Sequence, residues 1–209
     1  MQGYREEFNM FQLKGNKKIY IVTNRKLIRE GSICDVVERC AKMGADGVIL
    51  REKDLGYEEL KDIALGVKNI TQKYNIPLIV NGNIDVAMDI KADGFHSSFQ
   101  AFKNIAEKMG VEKRVERRES KFIYGVSIHK IEEALEAEKL GADYLIAGNI
   151  FETDCKPGLE GKGIYFLSKI CGSINIPVIA IEGININNIE NVLAAGAYGA
   201  AVMSYAMKI

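Results

Sequence analysis

The chain has 209 residues, enough for one well-buried core, and its 47% hydrophobic and 27% charged content is that of a soluble globular domain. Its 28 basic and 28 acidic side chains cancel, which removes any electrostatic case for nucleic acid or an anionic membrane surface as partner. No apolar run approaches the roughly 20 residues of a membrane span, and the opening MQGYREEFNM lacks the apolar centre of a secretory signal. A cytoplasmic location with the four cysteines reduced is therefore expected.

Residues 1–18 read as an N-terminal extension, either a capping segment or an expression remnant, ahead of one domain over 19–209. The first expected strand is Ile19–Thr23. It is followed by Val48–Leu50, Leu78–Val80, Gly94–His96, Ile123–Ser127, Tyr144–Gly148, Val178–Ile181 and Ala200–Ser204. Amphipathic stretches such as YEELKDIALGVKNITQKY (57–74) and IEEALEAEKL (131–140) lie between them and predict helices. NIPLIV (75–80) and NIPVIA (175–180) place Pro at strand entry, where its missing N–H is harmless. The charged run EKRVERRESK (112–121) predicts a solvated connection.

A phrase recurs along the chain: KMGADGVIL (42–50), KLGADYLIA (139–147) and AAGAYGAAV (194–202), with KADGFH (91–96) as a weaker copy. The three full copies end a helical pattern on Gly-Ala and run into a short apolar segment suited to a parallel strand buried on both faces. Strict alternation over eight units predicts an α/β fold, the closed (β/α)₈ barrel, in a single domain. The chain stops about five residues beyond Ser204, so the last helix is expected to be missing or shortened. Residues 1–18 or a homo-oligomeric partner are the candidates to cover that side.

Barrels of this kind carry their chemistry at strand C-termini. Those positions here hold Arg51 and Lys53 after strand 2, Asn81 after strand 3, His96 at strand 4, and Ser127 and His129 after strand 5. Both histidines of the chain thus fall at one end of the barrel, and neutral imidazole can accept and return a proton near neutral pH. Arg51 suits a bidentate clamp on a carboxylate or phosphate, or else an internal ion pair with Glu52. Gly183 and Ser204 follow strands 7 and 8, the usual phosphate side of the fold, with Glu182 opposing an anion unless it points away. No HExxH or Cys-His cluster appears, so no metal site is expected.

The segment NIFETDCKPGLEGKG (149–163) admits three readings: a nucleophile loop around Cys155, a metal loop, or a loop that grips an anion. Its glycines let backbone approach a ligand, Lys156 supplies positive charge and Thr153 a hydroxyl, which favours a lid over a phosphorylated ligand.

Taken together, IYIVTN (19–24), LREK (50–53), NGN-x-DVA (81–87), GVSIH (125–129), FETDCKPGLEGKG (151–163), IPVIAIEGI (176–184) and GAAVMS (199–204) resemble the thiamine-phosphate synthase superfamily. The resemblance covers Ile19 to Met207 and is nearer its TenI-type thiazole tautomerase branch. The synthase branch joins a pyrimidine pyrophosphate to a thiazole phosphate with magnesium. Its pattern has a glutamine where this chain has Ile49, and aspartates where it has Gly82 and Ala101. Magnesium is usually held by one or two carboxylates beside substrate phosphates. The resemblance therefore implies a tautomerase, an isomerase of thiamine biosynthesis that converts a carboxythiazole phosphate to its aromatic form. Its implied site has His129 as the catalytic acid and base. Arg51, Lys53, Asn81, Ser127, Thr153, Lys156, Gly183 and Ser204 would bind substrate, a small phosphorylated thiazole, without a cofactor. A divergent synthase using magnesium, and a non-catalytic regulatory binder of a phosphorylated ligand, are the alternatives it implies.

Overall fold

The computed structural model describes residues 10–11, 17–108, 121–153, 158 and 160–209. Eight parallel strands close into a barrel in strict sequence order, β1 pairing with β8 to complete the ring. They are β1 Lys18–Val22, β2 Gly47–Leu50, β3 Leu78–Asn81, β4 Gly94–Ser98, β5 Ile123–Ile128, β6 Tyr144–Ala147, β7 Val178–Ile181 and β8 Gly199–Val202. A helix follows each: α1 Ile33–Met43, α2 Tyr57–Tyr74, α3 Ile84–Asp89, α4 over 99–108, α5 Ile131–Lys139, α6 Gly163–Ser173, α7 Ile189–Ala194 and α8 Ser204–Met207. The expected (β/α)₈ barrel in one domain is the architecture found. No helix among the described residues is long and apolar enough to cross a membrane. The charged run at 112–121 lies outside the described residues apart from Lys121.

Local chemistry explains the element ends. Ser32 caps α1 in a reciprocal box: the Asp35 N–H donates to Ser32 Oγ (3.3 Å) and the Ser32 N–H donates to Asp35 Oδ2 (2.7 Å). Gly44 then ends α1 at φ 107°, a left-handed conformation that costs glycine little. The Ala-Asp step of the recurring phrase has a second function. Asp46, Asp93 and Asp143 each accept the main-chain N–H at the start of the preceding strand, at Ile19, Leu78 and Tyr124, over 2.7–2.9 Å. These carboxylates knit odd strands to even ones at the face opposite the strand C-termini, where barrel residues serve stability.

The eighth helix is a single turn, with Ala206 and Met207 fully buried. Met10 and Phe11 are buried beside it, and the Phe11 ring lies 6.5 Å from that of Tyr205. Residues 203–204, expected to extend the last strand, instead turn into this helix. The ladder with β7 ends at the pair Ile181–Ala201 and that with β1 at Ile21–Val202, so neither neighbour holds residues 203–204 extended.

Two apolar layers result. One fills the space between sheet and helices; the other, including Val22, Ile49, Ile79, Ile146, Ile179 and Ala201, fills the barrel interior. Two tyrosines share that interior, Tyr20 and Tyr144, their rings parallel within 10° and 6.4 Å apart. Glycine makes the room: a Cβ on Gly47 would stand 2.6 Å from Tyr20, and one on Gly125 would stand 2.1 Å from Tyr144. Side chains alternate along a strand. The next inward positions after Ile49, Ile79, Gly94 and Gly125 are Arg51, Asn81, His96 and Ser127, so the interior packing itself delivers these four residues to the barrel mouth.

Candidate active site at the barrel mouth

A cavity of about 910 Å³ opens at the strand C-termini. Of the residues singled out in the sequence, Arg51, Lys53, Asn81, Ser127, His129, Thr153, Gly183 and Ser204 all line it, as does His96. Lys156 and Cys155 lie outside the described residues.

Arg51 is half-buried and has no carboxylate partner among the described residues; its main-chain N–H donates to Thr23 Oγ1 (2.8 Å). Glu52, one residue on, turns outward and is buried. It accepts the main-chain N–H of Arg25 (3.1 and 3.2 Å) and its guanidinium (3.0 Å). Arg25 also forks onto Asp54 (2.8 and 2.9 Å), which holds the Asp54 carboxyl well below the usual carboxylate range. The ion pair foreseen for Arg51 is thus made by Arg25, and the Arg51 guanidinium stays at the cavity.

His129 is fixed by its neighbours. Its Nδ1 lies 2.8 Å from the Gly148 carbonyl, which only an N–H can satisfy, so in the neutral ring the lone pair is on Nε2. Its main-chain N–H donates to Glu133 Oε2 (2.6 Å), and Lys162 Nζ donates to its carbonyl oxygen. Lys162 also closes the loop after β6, its N–H donating to Asn149 O (3.0 Å) while Asn149 Nδ2 donates to Glu160 O (3.0 Å). This closure brings Thr153 to the cavity.

His96 is 2% exposed and burial holds its pKa down at about 3, so the ring is neutral. Both nitrogens are engaged: Nδ1 with the Tyr144 hydroxyl (3.0 Å) and Nε2 with Ser127 Oγ (2.7 Å). On the far side, Glu182 and Gly183 follow β7 with φ of 75° and 68°. A Cβ on Gly183 would stand 2.5 Å from Glu152 O, and the Phe151 N–H donates to Glu182 O (3.2 Å), so the loops after β6 and β7 pack directly together.

Sequence reasoning missed three contributors. Asn24 and Asn104 also line the cavity. Asn24 has a signal, since it follows the IYIVT strand and caps the next turn, its side chain accepting from the Lys26 N–H. Asn104 sits inside a helix, where position in the sequence gives no hint. Tyr144 was seen only as a strand residue.

The mouth does not fit a resident magnesium ion of the carboxylate-held kind. Among the described residues no three His, Cys, Asp or Glu side chains are grouped to hold a metal. Gly82 and Ala101 line the cavity where carboxylates would be needed; amides and hydroxyls are the other oxygen donors there, with Glu182 on the opposite wall.

Residues 19–206 match the sequence pattern of a family described as thiamine monophosphate synthase. A thiamine-phosphate synthase from Clostridium acetobutylicum is 40% identical over 90% of this chain and 85% of its own length. One from Caldanaerobacter subterraneus subsp. tengcongensis is 40% identical over 89% and 84%. A solved thiamine phosphate pyrophosphorylase from Pyrococcus furiosus superposes with a TM-score of 0.76 at 33% identity, covering 99% of this chain and 90% of that one. An N-acetylmannosamine-6-phosphate 2-epimerase from Clostridium perfringens (TM-score 0.65, 16% identity) shares the fold alone.

These relatives correct the expectation of a TenI-type tautomerase, and with it the isomerase assignment: the named relatives are synthases over most of the chain. That expectation draws on local features: Ile49 in place of a glutamine, Gly82 and Ala101 in place of carboxylates, His129 in the GVSIH stretch, and a loop of which residues 154–157 and 159 lie outside the described ones. Identity of 40% over 90% of the chain outweighs them.

Proposed function

We propose, from the premise that this chain belongs to the thiamine monophosphate synthase family, that it joins a pyrimidine pyrophosphate to a thiazole phosphate to give thiamine phosphate and pyrophosphate. The observation that carries this reading is the 40% identity to a thiamine-phosphate synthase over 90% of the chain. The cavity, at about 910 Å³, is of the size that encloses small heterocyclic ligands.

In this reaction a C–O bond from the pyrimidine methylene to pyrophosphate breaks and a C–N bond to the thiazole forms. No net proton moves, so the protein contributes position and charge rather than acid–base chemistry. Arg51 offers a planar fork to the departing pyrophosphate, and Lys53 a second cation at the rim. Lys156, on the loop after β6, is assigned to the same anion, with Thr153 adding a hydroxyl. Gly183 and Ser204, after β7 and β8, take the thiazole phosphate on the usual phosphate side of the fold. Asn81 and the Nε2 lone pair of His129 orient the heterocycles.

Purified protein incubated with both substrates, once with magnesium and once with a chelator, is expected to form thiamine phosphate, followed by chromatography. Absence of product in both incubations overturns the reading.

A further inference from the structure

We propose that Tyr144 is a positioning residue: through His96 it fixes the direction of a buried hydrogen-bond chain, so that Ser127 presents its hydroxyl proton to the cavity as a donor to the bound substrate.

The argument starts from a constraint on proton number. A neutral imidazole has one N–H and one lone pair, yet both nitrogens of His96 are in hydrogen-bond contact with hydroxyls. One hydroxyl must donate to the ring and the other must accept from it. Tyr144 decides which. Burial holds its phenol protonated, with a pKa well above the usual value. Among the described residues His96 Nδ1 is the only hydrogen-bond partner of that hydroxyl. A buried O–H without an acceptor is costly, and phenol oxygen is a poorer acceptor than an aliphatic hydroxyl, so Tyr144 donates to Nδ1. The ring proton is then on Nε2 and is donated to Ser127 Oγ over 2.7 Å. Ser127 retains its own hydrogen, and it lines the cavity. The opposite arrangement would turn the serine proton inward and leave the tyrosine proton with no acceptor.

The packing has the form of a device that aims a hydroxyl rather than a filler of space. The Tyr144 ring is backed by Tyr20 at 6.4 Å and passes over Gly125, where any Cβ would collide with its Cζ at 2.1 Å and its hydroxyl oxygen at 2.3 Å. Gly125 pairs in register with both His96 and Tyr144, so the absent side chain on β5 is what lets β6 reach β4 across it. Phenylalanine would fill the same volume. The hydroxyl adds nothing to packing in an apolar layer and is accounted for by its bond to His96.

The role in substrate binding rests on the proposed synthase reaction; the tautomer does not. The chain has only two histidines, so ¹⁵N NMR of the imidazole nitrogens separates them by comparison with a His129→Gln variant. The expected result is Nε2–H with unprotonated Nδ1 for His96, and the Nδ1 resonance should move in Tyr144→Phe as its donor is lost. A His96 ring protonated at Nδ1 in the native protein overturns the proposal, whether or not the protein makes thiamine phosphate. Where it does, a double-mutant cycle reads the second half. Tyr144→Phe is expected to lower kcat/KM by about two- to tenfold, the effect of one hydrogen bond, and to have no effect in a Ser127→Ala background. Equal losses in both backgrounds would assign Tyr144 a purely structural part and overturn the proposal. Failure of the synthase reading thus appears as absent product with the Nε2–H tautomer intact.

Discussion

The imidazole Nδ1 of His129 and the carbonyl oxygen of Gly148 stand 2.8 Å apart, across the ladder between β5 and the end of β6. The contact makes Nε2 the acceptor of the neutral His129 ring. Replacing it by Phe removes the acceptor while keeping a ring. We expect kcat/KM to fall about tenfold, as for the loss of one well-placed hydrogen bond. Steady-state kinetics with each substrate varied in turn checks this; unchanged kinetics would remove His129 from the site.

His96 sets a pH dependence of stability. Its folded pKa of about 3 lies below the reference value of 6.5, so the unfolded chain binds a proton that the folded chain refuses in between. Stability is complete above about pH 6.5 and declines as pH falls from there toward 3, at up to about 1.4 kcal/mol per pH unit. Urea unfolding at pH 7, 6 and 5 should show falling midpoints, and a His96→Gln variant a flatter profile. A wild-type midpoint constant from pH 7 to 5 would contradict this.

Glu182 holds a left-handed backbone at φ 75° beside Gly183, the proposed seat of the thiazole phosphate. Such a conformation costs a non-glycine residue about 1 kcal/mol, and a carboxylate there opposes a phosphate. Glu182→Gly is therefore expected to lower KM for the phosphorylated thiazole several-fold, without loss of thermal stability. Calorimetry and kinetics on one preparation check both halves, and a raised KM would mean that the carboxylate assists binding.

Ala101 is exposed in the first turn of α4, its N–H within reach of Ser98 Oγ at 3.4 Å. An acid at this point suits the start of a helix and gives the mouth an oxygen ligand it lacks. Ala101→Asp is expected to confer or increase stimulation by magnesium. Titration of the rate with the metal in variant and wild type is the measurement; identical curves would refute it.

Much of the barrel is legible in the sequence because parallel strands covered on both faces appear as unbroken apolar runs, and because Gly-Ala closes the helical pattern before three of them, β2, β6 and β8. The mouth is legible for the same reason: whatever polar residue follows such a run is delivered to one end. What escapes is set by distance in the chain. Tyr144 and His96 meet only once the barrel closes, and Asp46, Asp93 and Asp143 look like loop acids until each is seen taking a main-chain N–H from the previous strand. The branch expectation leans on a loop motif, the GVSIH stretch and three single positions, Ile49, Gly82 and Ala101, whereas the similarity to a synthase covers 90% of the chain. Reaction class belongs to the whole mouth, which no one motif represents.

The interior tyrosines have a consequence for how such a chain can vary. Tyr144 fits only because position 125 has no side chain, and Tyr20 only because position 47 has none. Each ring and its glycine form a single steric unit, so a mutational path through either member alone passes through a collision or a void. Gly125→Ala alone should abolish soluble expression, whereas Gly125→Ala with Tyr144→Leu should restore a folded barrel that has lost its link to His96.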